Sequence, residues 1–245
     1  IDTTAPRIAS ISSDLADGTY TVGQDIDLDI TFSEAVTLAG ANGLEIILTM
    51  DGDDRTVDLQ PFSNSTTATV TYEVQAGDTT SDLTNGAIAL GTGATLVDAG
   101  GTAMSNFALT GNSLGANKAL VLDTTAPRIV SISSDLADGT YTVGQDIDLD
   151  ITFSEAVTLA GANGLEIILT MDGDDRTVDL QPFSNSTTAT VTYEVQAGDT
   201  TSDLTNGAIA LGTGATLVDA GGTAMSNFAL TGNSLGTNKA LVLDT

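Results

Sequence analysis

Apolar and polar residues alternate in short runs along this chain. From Asp25 to Phe32 the alternation is strict, with Ile26, Leu28, Ile30 and Phe32 on one face and Asp25, Asp27 and Asp29 on the other. A period of two is the mark of a half-buried β-strand. From Thr67 to Val74 the same pattern sets Ala68, Val70, Tyr72 and Val74 apart from Thr67, Thr69 and Thr71. Further strands are expected over Arg7–Ser12, Leu44–Met50, Arg55–Leu59, Ala87–Leu90 and Lys118–Leu122. No stretch sustains a 3.6-residue period. Turn-forming residues separate the strands at Ala16-Asp17-Gly18, Ser33-Glu34-Ala35, Asp51-Gly52-Asp53-Asp54, Ser63-Asn64-Ser65 and Asn85-Gly86. Residues 91–117 are rich in Gly, Ala and Asn and show no clear strand.

The whole pattern then recurs. Residues 2–122 and 123–243 match at 119 of 121 positions, the exceptions being Ala9 against Val130 and Ala116 against Thr237. A 121-residue period is the size of a domain rather than of a solenoid repeat, so each copy is expected to hold its own core. The expected domains are residues 1–122 and 123–245, with 123–127 as linker and Asp244-Thr245 opening a further copy. Such a chain reads as a piece of a longer tandem array.

Seven or more short strands in about 120 residues predict an all-β fold: two tandem immunoglobulin-like β-sandwich domains arranged head-to-tail. An odd number of strand passes sets the termini at opposite ends of a sandwich, as a rod requires. The linker 123–127 spans at most about 17 Å. The residue before Pro127 prefers an extended backbone, and no Gly/Ser hinge is present. Close neighbours in a monomeric rod are therefore expected, each repeat's partner being the next identical repeat of the same chain.

Composition narrows the chemistry. The 245 residues carry 33 Asp and Glu against 6 Lys and Arg, a net charge of −27, with no His and no Cys. Thiol and imidazole catalysis, zinc sites and disulfides are excluded. Six dispersed cations make no nucleic-acid patch, and an anionic membrane surface repels the chain. No apolar run is long enough to span a bilayer.

Each copy holds 16 acids and 3 bases, so most acids have no cation to pair with. Those facing outward on Asp25–Phe32 read as a solvated face that also guards a sheet edge. Others fall at turns, where several can converge on a cation. Calcium takes 6–8 oxygen ligands from carboxylates, carbonyls and water, and tolerates flexible loops better than magnesium does. If the first strand leaves the linker end and the second returns, Glu34 lies beside the linker. The loop carrying Asp78 and Asp82 returns to the same end. The expected calcium ligands are thus Asp2, Glu34, Asp78 and Asp82 in one copy, and Asp123, Glu155, Asp199 and Asp203 at the junction of the two. The Asp51–Asp54 tip lacks the spacing and downstream Glu of an EF-hand loop and reads as a tight turn.

Several segments together resemble a known class. These are Asp2-Thr3-Thr4-Ala5-Pro6, the strand end Thr31–Val36 (Thr-Phe-Ser-Glu-Ala-Val), the loop Gln75–Leu83 and the tail Ser113–Asp123. They are similar to the bacterial Ig-like repeats that fill the extender regions of giant RTX-type surface adhesins, including ice-binding and biofilm adhesins. The resemblance covers essentially all of each copy. It implies a secreted, calcium-binding sandwich held at the cell surface, which projects a distal ligand-binding domain away from the cell while calcium stiffens the linkers. By position it implies Asp123, Glu155, Asp199 and Asp203 as junction ligands. The family's Asp-Ala-Ala-Gly-Asn loop is represented only by Asp98-Ala99-Gly100-Gly101, without the Asn. Asp98 and its counterpart Asp219 are therefore left unassigned.

Three functions compete. A calcium-rigidified spacer accounts for the repeat, the short linker and the acid excess together. A multivalent glycan- or ice-binding module is the alternative, with Thr67, Thr69 and Thr71 as a regular array, although alternating Thr is also an ordinary solvent face. A carboxylate-pair glycosidase is the weakest: among 33 acids some close pair is inevitable, and there is no Trp and no large unique loop to build a cleft. No enzymatic activity is expected.

Overall fold

A computed structural model describes residues 4–245. It divides into two compact units, Ile1–Thr125 and Ala126–Thr245. The division lies within the 123–127 segment. Asp2 lies outside the described residues.

In the first unit the strands are β1 (Ile8–Ser12), β2 (Gly18–Tyr20), β3 (Asp25–Ala39), β4 (Leu44–Thr49), β5 (Arg55–Leu59), β6 (Phe62–Glu73), β7 (Thr79–Thr80), β8 (Thr84–Leu90), β9 (Thr95–Asp98) and β10 (Leu120–Asp123), with one short helix, α1 (Leu114–Asn117). The fold is all-β with several sheets. Strands β1, β3 and β6 form an antiparallel sheet, and β9 pairs with the far half of β3. A second antiparallel sheet has the order β5-β4-β8. A third, small one joins β2 to β10 in parallel and β10 to β7 antiparallel. Ile26, Leu28, Ile30 and Phe32 of β3 meet Leu44, Ile46 and Leu48 of β4 in one core, each no more than 3% exposed. Burying each such side chain is favourable by about 1.5–3 kcal/mol, which holds the alternating strands face to face. The second unit repeats the elements 121 positions later with a separate core. There the β7 pairing shrinks to a single bridge, Thr201 to Leu243.

Three expected turns prove to be irregularities inside strands. Ser33-Glu34-Ala35 does not end β3. Thr31 pairs with Thr67 and Val36 with Ser65, so residues 32–35 bulge opposite Thr66 alone. The bulge is satisfied sideways: the Ser33 hydroxyl accepts from the Arg7 amide at 3.0 Å, and the Ser33 amide donates to the Arg7 carbonyl at 2.9 Å. Burial of Val36 and Leu38 carries the strand onward. Ser63-Asn64-Ser65 lies within β6, where Asn64 takes φ +48° and its amide donates to the Thr37 hydroxyl. Asn85-Gly86 lies within β8 at a register shift against β4. Its Asn85 carbonyl oxygen accepts from the Leu114 amide at 2.9 Å and so seats α1. In each case a polar side chain closes the backbone from the side and no chain reversal is needed.

The undecided segment 91–117 yields β9 and α1. Ser113 caps the helix, its hydroxyl accepting from the Ala116 amide. One turn of helix is too short to leave a 3.6-residue pattern. No helix among the described residues is long and apolar enough to cross a membrane.

Candidate metal centre

The chemistry gathers at a carboxylate left unassigned by the sequence reading. In the second unit the strand Thr216–Asp219 pairs with Asp146–Ala160, setting Asp219 opposite Val157 and two residues from Glu155. Asp219 is 4% exposed. After it the chain turns tightly back: the Asp219 amide donates to the Thr223 carbonyl, and the Gly222 amide donates to the Asp219 carbonyl. Gly222, at φ +88°, permits this left-handed return. Asp219 Oδ1 accepts from the Thr223 amide at 2.8 Å. Asp219 Oδ2 is buried and has no hydrogen-bond partner. A carboxylate oxygen of Glu155 lies within 4.8 Å of one from Asp219.

The first unit repeats the arrangement. Asp98 is 5% exposed; its Oδ1 accepts from the Thr102 amide at 2.7 Å, and its Oδ2 is likewise buried without a partner. Register sets Asp98 opposite Val36, two residues from Glu34. The Thr102 amide, above all, holds the Asp98 carboxyl below its ordinary range against the opposing effect of burial; the Thr102 side chain and the amides of Gly100 and Gly101 assist. The group is therefore an anion with one oxygen turned away from both water and protein donors. Such an oxygen is costly unless something positive meets it. With only oxygen donors at hand, the fitting partner is a hard cation of the calcium type.

Four further expected ligands, Asp78, Asp82, Asp199 and Asp203, do not join this carboxylate. Asp78 and Asp199 are 1% exposed and already engaged. Asp78 Oδ1 takes Arg55 through Nε at 2.8 Å and Nη2 at 2.7 Å. Its Oδ2 accepts from the Tyr72 hydroxyl and, at 2.7 Å, from the Gln75 amide. These donors hold the Asp78 carboxyl below its usual range despite burial, which acts the other way. Arg176, Tyr193 and Gln196 surround Asp199 identically. This carboxylate ties its loop to the strands. Asp82 and Asp203 are exposed, with their amides on the hydroxyls of Thr80 and Thr201. Asp123 ends β10 opposite Thr79, and its Oδ1 accepts from the Thr125 amide at 3.0 Å. The Asp51–Asp54 tip is closed internally, Asp54 accepting from the Met50 amide at 3.1 Å.

A signal for Asp98 was present in the sequence. In Thr95-Leu96-Val97-Asp98 the alternation sets Asp98 on the face of Leu96, which is 1% exposed. A carboxylate on the core side of a strand, followed by Gly100-Gly101, marks a buried charge in a tight loop.

No protein-family model matches the chain, and no curated protein does. Among solved structures it is similar to a DUF4785 family protein from Legionella pneumophila, at 12% identity and a TM-score of 0.29, over 86% of this chain and 52% of that one. It is also similar to the chicken CNTN1 FN1-FN3 domains, at 9% identity and a TM-score of 0.26, over 89% and 62%. A chimeric titin Z1Z2-Z1Z2 tandem shows 10% identity and a TM-score of 0.22, over 96% of each chain. The chain thus spans about half of the first of these structures. Overlaps this loose identify no relative.

Proposed function

We propose that the chain is a pair of calcium-dependent structural spacer repeats from the extender region of a large bacterial surface adhesin, secreted and held outside the cell. In this reading each unit is an immunoglobulin-like sandwich, and successive units follow head-to-tail. The observation that carries the calcium part is the buried, unpartnered Asp219 Oδ2 beside Glu155, repeated at Asp98 in the first unit. The near-identical 121-residue repeat and the family resemblance support the spacer role.

Glu155 and Asp219 would hold the ion within the second unit, and Glu34 and Asp98 within the first. Asp123 is added from chain connectivity alone. It precedes Arg128 by five residues, and the Arg128 amide bonds to Ser154, the neighbour of Glu155. When bound, the cation neutralises carboxylates that otherwise repel one another. Extracellular calcium modules bind at about 10⁻⁴–10⁻³ M, and calcium at about 100 times its Kd stabilises a site by about 2.7 kcal/mol. No catalytic role is proposed.

The multivalent binding alternative is less well supported. The Thr69 and Thr71 hydroxyls donate to Asp29 and Asp27, each at 2.6 Å, so the threonine array serves its own sheet.

Small-angle X-ray scattering of the chain with millimolar calcium and then excess EGTA, beside thermal melts, tests the proposal. Calcium is expected to raise the melting temperature and lengthen the particle, and Asp123→Asn to lose the lengthening. Shape and stability both indifferent to calcium would overturn it.

A further inference from the structure

The open edge of β6 is separate from the carboxylate site. Strand β6 pairs with β3 on one side, and no other strand among the described residues pairs with it. The Val74 amide donates to the Gln24 carbonyl, on the β3 side. Backbone groups alternate sides along a strand. Those of Ala68, Val70 and Tyr72 therefore also turn toward β3, and those of Thr67, Thr69, Thr71 and Glu73 turn outward. The Thr67 rung is closed by the Ser65 hydroxyl, which accepts from the Thr67 amide and donates to its carbonyl. The rungs of Thr69, Thr71 and Glu73 remain open.

Two different faces flank this edge. Along it lies a groove of about 470 Å³, whose apolar lining is Leu59, Pro61, Phe62, Ala68 and Val70 and whose rim is polar, with Ser65 and the edge threonines. The second unit has the same groove, of about 570 Å³, at Leu180, Pro182, Phe183, Ala189 and Val191. On the outer side stand Asp27 and Asp29, hydrogen-bonded to Thr71 and Thr69, with Asp25 opposite Glu73. An added strand sends alternate side chains to opposite faces.

We propose that each unit accepts an extended segment of a partner protein along the β6 edge, by strand addition. The segment fitting both faces alternates apolar with basic residues. Its apolar side chains enter the groove, its Lys or Arg side chains meet the acidic face, and its backbone pairs with Thr69, Thr71 and Glu73. Charge complementarity selects this occupant over a second copy, since each unit carries 16 acids and 3 bases and copies repel.

The probe is a ten-residue peptide alternating valine and lysine, titrated calorimetrically into the full chain. Two sites per chain are expected. Two versions N-methylated at alternate amides distinguish strand addition from general attraction to an acidic surface. The version methylated on the outer edge should bind like the parent. The one methylated on the inner edge should bind at least tenfold more weakly. Substituting Thr69→Pro and Thr190→Pro removes the outward-facing amides together with the hydroxyls bonded to Asp29 and Asp150 and should abolish binding, whereas Thr69→Val and Thr190→Val, which lose only the hydroxyls, should bind like the parent. Equal binding by both methylated peptides, or no saturable binding by the parent, overturns the proposal even if the proline variant fails to fold.

Discussion

Removing one hydroxyl in the second unit should split the melting of a chain whose two halves otherwise melt independently at the same temperature. Tyr193 is 4% exposed, and its hydroxyl donates to Asp199 Oδ2. In Tyr193→Phe the ring keeps its shape and the charge-assisted bond is lost, a contribution of about 1.5–3 kcal/mol. The lower part of that range applies, because Oδ2 still accepts from the Gln196 amide and Oδ1 still holds Arg176. At about 4 °C per kcal/mol for a domain of this size, the second unit should melt about 6–8 °C earlier. Differential scanning calorimetry is the assay, and the first unit is its internal reference. Separate cores and near-identical sequences predict one endotherm for the parent chain, two for Tyr193→Phe, and one at the lower temperature for the Tyr72→Phe/Tyr193→Phe double variant. Tyr141→Phe is the control: that hydroxyl donates to a backbone carbonyl near the surface, a neutral bond of about 1 kcal/mol or less. A Tyr193→Phe shift no larger than the control's would refute the view that this network secures the loop. A shift of both halves together would refute independent unfolding.

The same network has a pH signature. Burial, and then the neighbouring carboxylates, push Tyr72 and Tyr193 up to about 12, above the ordinary value of about 10. Their contribution is whole below pH 10 and lost as pH rises toward 12, so the gap between parent and Tyr→Phe melts should close across that window; a constant gap refutes the assignment. Asp78 and Asp199 are lowered, so their contribution is present above the ordinary carboxyl range and lost as pH falls below it. Gly43→Ala should cost about 3 kcal/mol or more in denaturant unfolding, because Gly43 sits at φ +53° and a Cβ would lie 2.1 Å from the Leu59 carbonyl oxygen. Gly52→Ala, with nothing within 4 Å, should stay within about 1 kcal/mol of the parent. Asp219→Asn should abolish the calcium-dependent rise in the second unit's melting temperature yet melt no lower than the parent in EGTA, because Asp219 Oδ2 has no hydrogen bond to lose. A lower melt in EGTA would mean that the carboxylate is satisfied without an ion.

Much of the fold was legible because burial enforces alternation. Ile26, Leu28 and Ile30 are all 0% exposed, as period-two patterning requires. The strand Arg55–Leu59 has the bounds that its residues suggest. What misled was local turn chemistry. Ser33 and Asn85 carry turn-type side chains but use them across the sheet, on Arg7 and Leu114, and the Asn64 backbone amide is taken by the Thr37 hydroxyl. Partners 26 or more positions away leave no local trace. The same blindness divided the expected ligands. Asp78 stood in an acidic loop like any other, yet Arg55, 23 residues earlier, occupies it. Asp98 was discounted for a missing neighbour, yet its own side of the strand is what buries it.

The structural unit also runs slightly out of phase with the sequence repeat. Counted by sequence, Thr124 is the second residue of the second copy. By its bonds it closes the first, since the Gly77 amide donates to its hydroxyl at 3.0 Å and that hydroxyl donates to the Asp78 carbonyl at 3.0 Å. Thr245 does the same for the second unit, with Gly198 and Asp199 at 2.9 Å each. The Asp78 loop, already fixed through its carboxylate to Arg55 and Tyr72, thus grips the residue that follows Asp123. The linker leaves each unit from a fastened point, and Asp123 sits immediately before the fastening. A carboxylate held there has far fewer conformations to lose on meeting a cation than one in a free linker. On the proposed reading, that restriction, rather than the count of acids, is what suits Asp123 at the end of β10 to a stiffening ion.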